Sequence, residues 1–209
     1  MADEKKRQQR LMKKKKKEKQ RKQKQSAHSQ TSSPDPRRLI RRARQFPVYE
    51  CIINSNWRDR GLAHIILSRK QPDNNVLFGC YLVDLYCLGL KNTFCNAGFS
   101  EIKYQREFKA RYFEAEDGIE CSIPLAHSII YGAIEYAAQF GFKPNRDYGL
   151  SKYVLEDEQD LTDLPEVEFG KDGKPLYIAG PDDNAEKIIS QLEKTAGKDN
   201  FHFIYELDL

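Results

Sequence analysis

Residues 76–88 constrain the fold more than any other stretch of this 209-residue chain. Both alternating sets are largely apolar: Val76, Phe78, Cys80, Leu82, Tyr86 and Leu88 on one side, Leu77, Tyr81, Val83, Leu85 and Cys87 on the other. A strand with that pattern is covered on both faces, so it predicts the interior of a sheet. Asp84 alone breaks the run. A carboxylate there needs a cation, hydrogen-bond donors, a metal or a proton, because apolar surroundings do not tolerate a bare charge. Lys91, Arg69, His64 or a tyrosine hydroxyl are the candidate partners.

Two further strands precede it, Val48–Asn54 and Leu62–Lys70, and the second is joined to it by the turn-forming QPDNN of residues 71–75. Short links make these an antiparallel meander with the third strand central. Glu101–Phe113 has the pattern of an exposed amphipathic helix, and Glu114–Gly118 that of a loop. Pro124–Phe140 is the strongest helix. Pro124 suits its first turn, Ile129, Ala133, Tyr136, Ala137 and Phe140 form a stripe, and Gly141 fits the C-cap. Gly132 predicts close approach to the sheet, and His127, Tyr131 and Glu135 form a polar line beside the stripe. Asn145–Leu155 predicts a second helix. Toward the C-terminus, Glu166–Phe169 and Pro175–Ala179 flank a Gly170–Lys174 hairpin turn. A helix at Ala185–Thr195, with Ile188, Ile189 and Leu192 as its apolar face, and a strand at Phe201–Leu207 complete a ββαβ pattern.

These elements predict an α+β protein whose antiparallel or mixed sheet grows from a three-strand meander, with helices mainly on one face and a disordered basic N-terminal arm. The charge divides the chain in three. Residues 1–45 hold 18 Lys and Arg against 4 acids, residues 46–155 hold 12 against 12, and residues 156–209 hold 5 against 15. The expected organisation is therefore a basic arm with a short basic helix (1–45), a central domain (46–155) and an acidic extension packed on it (156–209).

Lys13, Lys14, Lys15, Lys16 and Lys17 form one basic cluster, and Arg37, Arg38, Arg41, Arg42 and Arg44 a second that also carries Leu39, Ile40 and Ala43. That spacing suits a short helix with one side on the domain and its arginines outward. Both clusters fit phosphate-backbone binding to RNA or DNA, the ribosome included, without base readout. The leading expectation is a nucleic-acid-associated or ribosome-associated protein with no catalysis assigned and no cofactor. The alternatives are a metal-dependent nuclease and a protein-interaction adaptor with a solubilising tail. The +14 and −10 blocks also predict an intramolecular contact between arm and acidic lobe.

The five cysteines form no C-x-x-C pair, which fits reduced core thiols. With no apolar run near membrane-spanning length and no secretory signal at Met1, the expectation is a soluble cytoplasmic protein without a membrane partner, or a nuclear one in a eukaryote.

The predicted order of elements resembles the double-stranded-RNA-binding domain, although Pro124–His127 lack the lysines that family places at the start of its last helix. It also resembles the ribonuclease-H-like core. That resemblance implies two divalent ions, Mg or Mn, held by carboxylates, for which Glu50, Asp84, Glu135 and Asp147 are the catalytic candidates. Cys87 with His127 is a further nucleophile–base pairing to test. The motifs LVDLYCLGLKN (82–92) and YGAIEYAAQFGFKPNRDY (131–148) are similar to those of an uncharacterised bacterial family over most of residues 46–205, a resemblance that implies no activity.

Overall fold

The computed structural model describes residues 35–204, so the Lys13–Lys17 cluster and the end of the last predicted strand lie outside the described residues. From Pro36 onward the described residues form one unit. Five antiparallel strands form the main sheet in the order β4-β3-β2-β1-β5. β1 (Val48–Asn54) and β2 (Leu62–Lys70) occupy the segments their apolar patterns predict, separated by a short helix α2 (Trp57–Arg60). β3 (Asn75–Asp84) pairs with β2 along its whole length and with β4 (Gly89–Ser100) on its other side. β5 (Gly118–Glu120) closes the far edge beside β1.

The run expected to continue to Leu88 stops at Asp84. The chain then reverses and returns as β4, so residues 76–94 are a hairpin rather than one strand and its exit. β3 is interior as predicted, while the middle position belongs to β2. Apolar Leu85 and Cys87 look strand-like in sequence because they are buried, but they are buried in a turn, against the main and C-terminal cores, with Leu88 half-buried beside them.

One face of the sheet carries the main core. Ile53, Ala63, Ile65, Leu67, Leu77, Tyr81 and Val83 pack there against Ile129, Ile130 and Ala133 of α4 (Ile123–Gln139). The Ser122 side chain accepts from Leu125 N to start that helix, and Gly141 at φ +81° follows its end. The close approach expected at Gly132 is made elsewhere: a Cβ on Gly132 would strike the Phe169 ring, whereas one on Gly89 would lie 2.6 Å from the Ala133 carbonyl oxygen. Gly89 also has φ +67°, so it serves both the turn and the strand–helix contact.

A short helix α1 (Pro36–Ile40) joins the same face. Ile40 and Ala43 are buried in the main core, with Leu39 and Phe46 packed against it. The second helix predicted over Asn145–Leu155 is only one turn, α5 (Tyr148–Ser151).

The other face is covered over half its length. A π-helical segment (Lys103–Lys109) runs into α3 (Ala110–Tyr112), where an exposed amphipathic helix was expected. Its aromatic side is a lid: Phe108 stacks on Phe78 with ring centroids 4.3 Å apart, and Tyr104 is fully buried against Ile66, Val76 and Cys80. Helices therefore lie mainly on one face, with this segment on the second.

In the C-terminal lobe the Lys171–Lys174 turn forms, but Glu166–Phe169 is not a strand. Instead β6 (Leu176–Ile178) pairs parallel with β7 (His202–Ile204), with α6 (Ala185–Thr195) between them in sequence. Tyr177, Leu192 and Phe201 pack with Cys87, Leu88, Phe140 and Phe142, which holds the lobe on the turn after β3 and the end of α4.

Candidate functional site

Asp84 ends β3 beside a wide groove, and the backbone after it supplies the donors it needs. Its Oδ1 accepts from Tyr86 N at 2.8 Å and Cys87 N at 3.0 Å. The side chain thus shapes the reversal that the apolar residues 85–88 conceal. Burial raises its pKa, opposed by the two N–H groups and by the Lys91 charge. Lys91 makes its own ion pair with Asp183, Nζ to Oδ2 at 2.9 Å, and that same oxygen accepts from Gly180 N. Arg69 and His64 are engaged elsewhere. Arg69 donates to the Val154 and Phe46 carbonyls and pairs with Glu156, and the His64 ring lies edge-on to Tyr112.

The groove has a volume of about 1010 Å³. Its floor is the half of the second sheet face that the π-helical segment leaves open, with Leu62, Leu82 and Asp84, and its far wall is the C-terminal lobe from Leu176 to Asp183.

The four candidate carboxylates are not brought together. Glu50 lies under the π-helical segment, bound by Lys109 Nζ at 3.0 Å and Gln105 Nε2 at 3.2 Å. It pairs with Ser68, which pairs with Phe78, six residues before Asp84, so about 20 Å of strand separates the two. Glu135 is exposed on α4, and Asp147 is exposed at the start of α5. Among the described residues no three His, Cys, Asp or Glu side chains are placed to hold a metal ion.

Cys87 and His127 do not form a dyad either. Cys87 is buried against Tyr177 and Leu192, and burial raises its pKa. His127 has both ring nitrogens occupied, Nδ1 by the Ile123 carbonyl at 2.6 Å and Nε2 by Glu156 N at 2.8 Å. It is fully buried rather than on a polar line, and burial lowers its pKa. All five cysteines are free thiols.

The arginine segment has the inward and outward sides expected of it, although its helix ends at Ile40. Ile40 and Ala43 anchor the segment in the core, leaving Arg37, Arg38, Arg41 and Arg42 exposed. Arg41 lies over the Tyr153 ring at 5.8 Å, with Lys152 against the same ring at 5.6 Å, and Arg42 Nε donates to Gln45. Arg44 differs from its neighbours. It pairs with Asp157 at 2.6 Å and donates to the Leu155 carbonyl, which ties the basic segment to the start of the acidic extension. Among the described residues Arg38, Arg41 and Arg42 make no ion pair. No helix among the described residues is long and apolar enough to cross a membrane. No family model, curated protein or solved structure matches the chain.

Proposed function

We propose that the protein binds the phosphate backbone of RNA or DNA through its two basic clusters, without catalysis. The observation that carries this reading is the anchoring of α1 and the turn that follows it. Ile40 and Ala43 are committed to the core, so Arg37, Arg38, Arg41 and Arg42 are held on a fixed surface with Lys152 beside them. Cations held in place lose less side-chain freedom on binding than cations on a free chain, and guanidinium groups suit phosphate geometry. Lys13–Lys17 supply further charge of the same sign. Nothing in the arrangement aims arginines at base edges, so binding is expected to be tolerant of sequence.

The test is binding of labelled single- and double-stranded RNA and DNA to the full chain and to a variant with Arg37, Arg38, Arg41 and Arg42 all replaced by Ala. The reading predicts binding that weakens by about tenfold or more in the variant at moderate salt. Equal affinity in the two proteins would remove the ridge from the function. Scission of the nucleic acid in the presence of magnesium would remove the non-catalytic assignment.

A further inference from the structure

The groove beside Asp84 lies away from the arginine ridge and plays no part in the reading above. Three features of it converge on one kind of occupant. Its floor is sheet surface without a cover, since the aromatic lid ends at Phe113 and leaves Leu62 and Leu82 half-buried at the open end. Its wall includes a strand with an open edge. In β6 the Pro175 carbonyl and the Ala179 N–H bond toward β7, so by alternation Leu176 and Ile178 present their backbone groups to the other side. Tyr86 O takes the Leu176 N–H at 3.1 Å, whereas the Ile178 N–H has no backbone acceptor among the described residues.

The third feature is charge. Arg60 is paired with Glu116 and Lys91 with Asp183, which leaves the exposed Asp59 and Asp182 in the lining against Lys171, while Asp84 is buried and held by backbone donors. The groove is therefore acidic where its ion pairs do not cancel. An anion is disfavoured there, while a partner with ammonium or guanidinium groups is favoured.

We infer that this groove accepts an extended peptide segment carrying Lys or Arg, which adds as a strand to the open edge of β6. Main-chain bonds to Ile178 would supply register. Alternate side chains would then fall toward the Leu62–Leu82 floor and toward Asp59 and Asp182. The Ile178 side chain, 37% exposed in the free protein, would be covered by the added strand.

The probe is a fluorescein-labelled peptide of roughly ten residues alternating Lys and Val, long enough for one strand, with a Glu–Val peptide as control. Both are titrated into the full chain by anisotropy, and amide hydrogen exchange at Ile178 is followed by NMR. The expected result is saturable binding of the Lys–Val peptide only, with exchange at Ile178 slowed when it is bound. Asp59→Lys combined with Asp182→Lys should weaken binding at least about tenfold, since both side chains are exposed and line the groove. Ile178→Pro should do the same by removing the donor. The inference is overturned if the double-lysine variant binds as tightly as the parent, or if Ile178 exchange does not change. It is equally overturned if slow exchange at Ile178 precedes peptide and disappears on dilution, which would make a second copy the occupant. Protection by an oligonucleotide alone would overturn it as well. The exchange measurement needs no substitution, so the inference stays testable if a variant fails to fold.

Discussion

Asp84 shows why a carboxylate can close an apolar strand without touching a cation. Two N–H groups satisfy one oxygen, and Lys91 acts at longer range while bound to Asp183. An asparagine can accept the same two bonds without the desolvated charge. Asp84→Asn should therefore keep the fold and equal or exceed the parent in urea denaturation at pH 7. Asp84→Ala, which orphans both donors, should lose about 1–3 kcal/mol. The pH dependence has a definite sign. Burial raises the folded pKa above the ordinary carboxylate value, so the stability linked to Asp84 is fully present below the unfolded pKa and is lost as pH rises through the folded one. Asp84→Asn should remove that loss. His127 acts in the opposite direction. Its folded pKa lies below the unfolded one, and protonating Nε2 breaks the bond from Glu156 N, so its contribution is lost as pH falls below about 6.5. An NMR titration should find the His127 ring neutral at pH 6.5; a ring half-charged there would contradict this assignment.

At the scale of elements, α4 was legible because its apolar stripe coincides with the side it buries, and β1 and β2 because their apolar runs match strands buried over most of their length on both faces. The turn after β3 was not, because neighbouring layers bury Leu85 and Cys87 and half-bury Leu88, which gives a turn the composition of a strand. The lid over the second face was legible as amphipathic but not as buried. Its partners, Phe78, Phe99 and Ile66, belong to strands whose pattern does not say which element covers them. Parallel pairing of β6 with β7 was hidden for the same reason, since the Asp172–Gly173 turn suggests a hairpin whose first strand never forms. Two variants test packing that the sequence does not reveal. Gly89→Ala, which forces a Cβ against Ala133 at positive φ, should cost about 2–5 kcal/mol in a denaturant melt. Phe108→Ala, which opens the stack on Phe78, should cost about 3 kcal/mol. A loss below about 1 kcal/mol in either would mean that the packing is looser than its geometry implies.

Across the whole molecule, charge and fold divide the work. The candidate site was legible in part. The arginines of residues 37–42 could be placed outward because Leu39, Ile40 and Ala43 mark the inward side, while the four carboxylates could not be separated without knowing where each element sits. Glu156 and Asp157, part of the acidic extension in sequence, pair internally with Arg69 and Arg44. Arg38, Arg41 and Arg42 stay outward and outside those ion pairs. The most direct test is the salt dependence of nucleic-acid affinity in the full chain, compared with the variant lacking Arg37, Arg38, Arg41 and Arg42. If these side chains neutralise phosphates, the slope of log affinity against log salt on a single strand should become shallower by about 0.7 for each arginine removed, approaching about 3 for all four. An unchanged slope, with full affinity retained, would contradict phosphate binding by this ridge.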